Sequence, residues 1–500
     1  MNQQSVVTPN RQLALTLAIT VAAVGFGAVV GRTLLHTAND PADDVLAALH
    51  ANRSPDDPSP ALPQRRVVVA LIDGLGASTF EGLLNDREIE PPSWHAYLDV
   101  GAPSLSRPVY HMLLTGVPQS VSGIRTNAHE GRARADSVAD RVRAAGGSVA
   151  WALEYVPWFA DLFSEPADAI VLGPSAVDPV RFEELYESGA ELLVLHVVAP
   201  DLAGHEHGGN SRAYREAARS ALRTVLRLRD GTRGHTDFGR TVWFVGADHG
   251  HMPRGGHGGP EHEVRQVLWV ALSAARVPYE PLPARYFPAG MLAPTIAAVL
   301  GVAPPAEAVL GPLPTPWSDA TRDDGVVRGR RASTVQSAFD ARARRSLRSR
   351  TTRGMLVGMI ALGLGVLAVR RGQGRRMAGA VLVVAGAAAG FALVGPGFTL
   401  SAIRTEAAFL VRSVAAMAVG TALVWSLARR VGARWRDSMI AAAVAVALAF
   451  VAVGGSLGRG GVDAIALALL PTTGLFPAGV ALGATIGERW VRARRRTPRT

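Results

Sequence analysis

Five short stretches carry side chains whose types and spacing suit metal or phosphate chemistry. Asp73 closes the apolar run Val67 to Ile72 and is followed by Gly74. A carboxylate directly after a buried strand can reach a metal at the strand's edge, although Asp-Gly is also an ordinary turn. Ser106 lies in Pro103-Ser104-Leu105-Ser106-Arg107-Pro108. Pro108 suits the first turn of a helix, which leaves Ser106 at or just before a helix N-terminus. Unpaired N–H groups at such a site favour a phosphate or an alkoxide; the plainer reading is a serine cap. Asp201, His205 and His207 share one short polar stretch, read as a loop, after the apolar run ending near Val198. Asp248 and His249, with His251 close behind, follow the run Val242 to Gly246. His257 stands among Gly255, Gly256, Gly258 and Gly259, where an imidazole has little packing to do unless the loop is simply exposed. Aspartates combined with neutral histidines suit zinc, with manganese or iron also possible; carboxylates and water alone would suit magnesium better.

Positioning these groups requires a rigid frame. Strand-length apolar runs occur at Val67 to Ile72, Val149 to Leu153, Ala169 to Leu172, Leu192 to Val198, Val242 to Gly246 and Val267 to Leu272. Helical patterns lie between them at Ala133 to Ala145, Arg181 to Glu187, Ser211 to Leu228 and Ala289 to Leu300. Near-continuous apolar strands alternating with helices predict an α/β fold with a mainly parallel sheet sandwiched by helices. Polar clusters immediately after such strands mark the edge where sites form.

The rest of the chain is different material. Hydrophobic residues make up 48% of the 500 and charged residues 19%, with the apolar excess near the N-terminus and after Gly354. A net charge of +11 would suit nucleic acid, but the arginines crowd beside apolar runs: Arg342 to Arg353, Arg370 to Arg376, Arg429 to Arg436 and Arg489 to Arg499. Basic residues there set membrane orientation, so no nucleic-acid partner is expected and membrane lipids are. With no cysteine, thiolate ligands, disulfides and cysteine nucleophiles are excluded. Leu13 to Gly31 is long enough to span a bilayer and reads as an uncleaved anchor. Five later runs can also span: Gly354 to Val369, Ala378 to Phe398, Ala407 to Leu427, Met439 to Leu457 and Ala464 to Ile486. The expected organisation is an anchor at 1–36, a stalk at 37–64, a catalytic domain at 65–313, a linker at 314–353, an all-α transmembrane bundle of about five helices at 354–488, and a basic cytoplasmic tail at 489–500. The expectation is an integral, multi-pass membrane protein whose catalytic domain faces outward. Three arginine clusters fall on the cytoplasmic side in that arrangement, and only Arg342 to Arg353 disagrees.

The ordered motifs resemble the alkaline phosphatase superfamily, in particular its type I phosphodiesterase/nucleotide pyrophosphatase and GPI ethanolamine-phosphate transferase branches. The resemblance runs from about Val67 to Pro305. It rests on Asp-x-x-Gly-His at Asp201 to His205, Ala-Asp-His-Gly at Ala247 to Gly250, and Gly-His-Gly-Gly at Gly256 to Gly259. Ser-x-Pro ahead of Leu-Leu-Thr-Gly, Ser-Gly-Ile-x-x-Asn ending at Asn127, and Ala-Pro-Thr-Ile-Ala-Ala-Val-Leu-Gly-Val from Ala293 add to it. The resemblance implies two divalent ions, zinc or else manganese. Asp73, Asp248 and His249 would hold one, together with the Ser106 oxygen; Asp201, His205 and His257 would hold the other. It implies Ser106 as the nucleophile, a phosphoserine intermediate, and Asn127 as a hydrogen-bond donor to the phosphate. Ser106 stands where many relatives have threonine. His207, His251, His262, Glu261 and Glu263 receive no ligand role. The expected function is a metal-dependent phosphoesterase, acting on extracytoplasmic phosphodiesters that could be lipid-linked. The alternatives are transfer of phosphoethanolamine or another phospho-group to lipid or cell-envelope glycan, and a transporter or scaffold carrying an inactive enzyme domain.

Overall fold

The computed structural model describes residues 63–318 apart from 87–89, 128, 130, 156–158, 160–161, 164–168, 275–281 and 284, together with 46, 47, 49 and 401. The chain divides into two compact units, Ala38–Arg342 and a second made of Met1–Thr37 with Ala343–Thr500. Everything below concerns the first. The anchor, most of the stalk and linker, the five later spans and the basic tail lie outside the described residues. Among the described residues no helix is long and apolar enough to cross a membrane.

Eight strands form one sheet: β1 (Arg66–Ile72), β2 (Trp94–Asp99), β3 (Val149–Leu153), β4 (Ala169–Leu172), β5 (Leu192–Val197), β6 (Thr241–Gly246), β7 (Gln266–Ser273) and β8 (Tyr286–Pro288). Their order is β4-β3-β5-β1-β6-β7-β2-β8. All neighbours pair in parallel except β7, which runs antiparallel to both β6 and β2. The mainly parallel sheet expected from the sequence is present, with one reversed strand inside it. Every residue of β1, β3, β5 and β6 is buried, as strands covered on both faces require.

Two strands escaped the sequence reading. β2 alternates buried and half-buried residues, Trp-His-Ala-Tyr-Leu-Asp, so it makes no continuous apolar run. β8 has only three residues.

The helices used below are α1 (Ala77–Asn85), α2 (Ser106–Thr115), α3 (Val138–Ala144), α4 (Pro179–Glu187), α5 (Ala199–His207), α6 (Arg212–Gly231) and α7 (Leu292–Leu300). They pack in two groups: α6 against α1, α4 and α5, and α7 against α2 and α3; α6 and α7 both reach β1. α3 starts at Val138 rather than Ala133, because Ser137 and Asp140 form a reciprocal cap. α5 corrects the loop expected around Asp201. Pro200 sits in its first turn and Gly208, at φ 92°, ends it. Leu46 and Leu49, from the segment expected as a stalk with at most one short helix, are buried in an apolar cluster with Val117, Val121, Ala135 and Val309.

Candidate functional site

Strands β5, β1 and β6 lie side by side and parallel, so their carboxyl ends open on one edge. The register sets those ends level, with Ile72 opposite Val197 and Leu71 opposite Gly246. Asp73 follows β1, Asp201 occupies the first turn of α5 after β5, and Asp248 and His249 follow β6. Separate apolar runs therefore deliver their polar ends to one place, as open α/β sheets do. Gly74 permits a close approach. It adopts φ +74°, and a Cβ there would lie 2.7 Å from Asp201 Cα.

The side chains form two adjoining groups. In the first, His249 Nε2 lies 3.3 Å from Asp73 Oδ1, 3.2 Å from Asp248 Oδ2 and 3.2 Å from Ser106 Oγ. All four residues are fully buried. Asp248 Oδ1 accepts the Gly74 N–H at 3.1 Å. By contrast, Asp73 Oδ1 and Asp248 Oδ2 are buried without a hydrogen-bond donor. Two carboxylate oxygens left bare in a dry site, aimed at a shared imidazole nitrogen, are costly unless a cation joins them. Within the second group, His205 Nε2 and His257 Nε2 each lie 3.5 Å from Asp201 Oδ1 and 3.1 Å from one another. Each edge of that triangle is close to the spacing of about 3.3 Å between ligands bound at about 2.0–2.1 Å around a tetrahedral ion. Asp73, Asp248 and His249 form one buried group that can hold a metal ion, and Asp201 forms others with His249 and His257 or with His251 and the half-buried His205.

The shifts in protonation have the same origin. Burial, then the charge of Asp73, raises the Asp248 carboxyl well above its ordinary range. Burial pushes the His257 imidazole down to about 3 and His249 well below its usual value, with the neighbouring imidazoles adding to it. Burial also opposes the Asp201 charge, but a hydrogen bond from His251 and the surrounding imidazoles outweigh it and hold that carboxyl low. Neutral imidazoles are the form that binds metal.

His257 is held by Ser104, two residues before Ser106. His257 Nδ1 meets the Ser104 carbonyl at 3.0 Å, which leaves Nε2 for the cluster. The Ser104 hydroxyl donates to Gly259 O at 3.0 Å and accepts the Gly258 N–H at 3.0 Å. One buried serine thus ties the glycine loop to the segment carrying Ser106.

Ser106 is the first residue of α2, with Leu105 at the cap, so it is not a capping serine. The helix end offers fewer open donors than the sequence implied. Pro108 has no N–H, and the Arg107 N–H donates to Asn127 Oδ1 at 3.0 Å. That bond brings Asn127 beside Ser106 and fixes its amide with Nδ2 as the donating end.

All eight residues singled out for the site converge on this edge: Asp73, Ser106, Asn127, Asp201, His205, Asp248, His249 and His257. His207 does not join them; its side chain is 45% exposed and faces Glu206. His262 and Glu263 are exposed. Three further residues lie beside them: His251, named in the sequence without a ligand role, and Tyr110 and His196, which were missed. His251 is buried with Nε2 2.9 Å from Asp201 Oδ1, its ring seated where any Cβ on Gly204 would come within 2.4 Å. Tyr110 donates to Asp73 Oδ2 and lies 2.9 Å from His196 Nε2, all three buried. The sequence did carry signals: Tyr110 is four residues after Ser106 on a helix, and His196 is the one polar residue of β5.

No family model matches the chain, and no curated protein matches it. Among solved structures it is similar to Ps i-CgsB, at 14% identity and a TM-score of 0.37, over 48% of this chain and 72% of that one. It is also similar to murine ectonucleotide pyrophosphatase/phosphodiesterase 5, at 16% identity and a TM-score of 0.31, over 38% of this chain and 58% of that one. The likeness is one of fold alone. The functional reading therefore rests on the residues at the sheet edge.

Proposed function

We propose that this chain is a metal-dependent phosphoric ester hydrolase that acts on phosphodiesters through Ser106. The observation that carries the reading is the convergence of Ser106 Oγ with three buried ligand groups, two of which present carboxylate oxygens that no protein donor satisfies. Asp73, Asp248 and His249 would hold one divalent ion next to Ser106, and Asp201, His205 and His257 a second. The mixture of imidazoles and carboxylates favours zinc, with manganese as the alternative. Bound there, such ions supply Lewis acidity and lower the pKa of a neighbouring hydroxyl.

The rest is the work of this chain's own groups. Ser106 Oγ, fixed at the start of α2, gives its proton to solvent and attacks phosphorus; a bond from Oγ to phosphorus forms while the ester P–O bond breaks. The alcohol leaves and takes a proton from solvent. Asn127 Nδ2 donates to a non-bridging oxygen whose charge grows during attack. Water then attacks the phosphoserine, the Oγ–P bond breaks, and a phosphate monoester departs. An alcohol can replace water in this second step, giving transfer to lipid or glycan instead of hydrolysis. We further propose that the flanking apolar runs hold this domain on the outer face of a membrane, where lipid-linked phosphate esters are within reach.

The test is an assay of the purified chain on chromogenic phosphodiester and monoester substrates, with zinc and with manganese, beside Ser106→Ala. The reading expects diester cleavage that needs added metal and is lost in the variant. Activity unchanged in Ser106→Ala refutes it. Turnover that appears only with an alcohol acceptor selects the transferase.

A further inference from the structure

We infer that Tyr110, backed by His196, is a positioning residue that decides which oxygen of Asp73 is offered to a metal ion. The inference rests on the metal-dependent reading above and concerns this chain's own support for it.

Asp73 has two oxygens in quite different surroundings. Oδ2 accepts the Tyr110 hydroxyl and lies 3.4 Å from His196 Nε2. Oδ1 is buried, receives no hydrogen bond, and faces His249 Nε2 at 3.3 Å. The carboxylate is therefore fixed with one oxygen engaged and the other bare toward the ligand cluster. A free carboxylate would exchange its oxygens by rotating about the Cβ–Cγ bond. Here that rotation would break the Tyr110 bond inside a dry site, where an unmet donor is costly.

Tyr110 is itself immobilised. It sits one helical turn after Ser106, on the same face of α2. Its ring stacks on Phe159 with centroids 4.5 Å apart and 17° between planes, and meets His196 edge-on at 5.4 Å. His196 comes from β5, the strand beside β1, at the position paired with Leu71. A neutral phenol that donates to Asp73 can still accept from His196 Nε2, 2.9 Å away. That order sets the imidazole with its proton on Nε2. Three elements thus place one hydroxyl, and the hydroxyl places one carboxylate. Partners of this kind commonly change metal affinity 10- to 100-fold when removed.

A packing role alone gives a different forecast. Tyr110→Phe keeps the ring and its stack on Phe159 and removes only the hydroxyl. The experiment is a zinc titration of the full chain in detergent against a chelator of known affinity, reading the dissociation constant of each bound ion. Wild type is expected to bind two ions per chain. Tyr110→Phe is expected to weaken one of them about 10- to 100-fold and to leave the other, built on Asp201, unchanged. The unchanged site also shows that the fold is intact. Should Tyr110→Phe fail to fold, His196→Leu carries the same test, with a smaller loss at the same site. Two ions bound at wild-type affinity by the variant overturns the inference while leaving the metal reading in place. Wild type that binds no zinc or manganese overturns the metal reading itself, and this inference with it.

Discussion

Replacing Asp248 by asparagine should make the metal-free protein more stable and the metal-loaded protein less so. Without an ion, Asp248 Oδ2 and Asp73 Oδ1 are buried and accept no hydrogen bond. The ligand atoms of Asp73, Asp248 and His249 all lie within 4.8 Å of one another, so two carboxylates share one dry pocket. An amide at position 248 can keep the Gly74 N–H bond through its oxygen. Its NH2 group then faces Asp73 instead of a second carboxylate oxygen. Relieving an unsatisfied buried polar group is worth about 1–3 kcal/mol. At about 2–4 °C per kcal/mol for a domain of this size, the midpoint in chelator should rise by about 2–12 °C. Zinc at about 100 times its dissociation constant stabilises the wild type by about 2.7 kcal/mol per site, or about 5–11 °C. The variant should lack that increment at one site. Near-UV circular dichroism follows the transition, because Trp94, Trp151, Trp243 and Trp269 are fully buried in this unit. A variant less stable than wild type in chelator refutes the reasoning, as does an equal rise with zinc in both proteins.

Three further outcomes follow from the geometry. Ser104→Ala removes two hydrogen bonds to the loop holding His257. It should weaken the ion bound by Asp201, His205 and His257 about tenfold while sparing the other, read by the same zinc titration. His111, fully buried with Nε2 lacking a partner, is depressed by burial to about 3. The unfolded chain therefore takes up a proton below about pH 6.5 that the folded chain refuses, and stability falls as pH falls. The slope is up to about 1.4 kcal/mol per pH unit down to about pH 3. Thermal midpoints of His111→Leu should decline less steeply than those of wild type between pH 6.5 and 4.5, and parallel curves would contradict this. Finally, a Cβ at Gly246 would lie 2.1 Å from Trp269 Cδ2. Gly246→Ala should cost about 1–3 kcal/mol from overpacking and lower metal affinity through Asp248, measured by thermal midpoint and zinc titration.

Much of the site was readable because each ligand follows an apolar run that had to be a strand. Val67 to Ile72, Leu192 to Val197 and Thr241 to Gly246 became adjacent parallel strands of one sheet, and their polar ends met. What local sequence lacks is the third dimension. Asp201 and His205 looked like loop residues because Gly204 and the polar run masked a short helix. His251 seemed an accessory neighbour of His249 until Gly204 and Asp201 were seen to make its slot. Tyr110 and His196 drew no role from the local sequence, and both are buried. Only the fold, which sets the Tyr110 hydroxyl of α2 beside His196 of β5, turns them toward Asp73. β2 went unread because half its side chains face partly outward.

The central claim is that Ser106 Oγ, beside a metal held by Asp73, Asp248 and His249, takes the phosphoryl group covalently. The most direct measurement is acid quenching of the zinc-loaded chain during turnover of a phosphodiester, followed by peptide mass spectrometry. The account predicts a phosphoester on Ser106 that appears with substrate, disappears as substrate is exhausted, and is absent in chelator. Steady turnover with an unmodified Ser106 at every quench time, or phosphorylation at another residue, would contradict it.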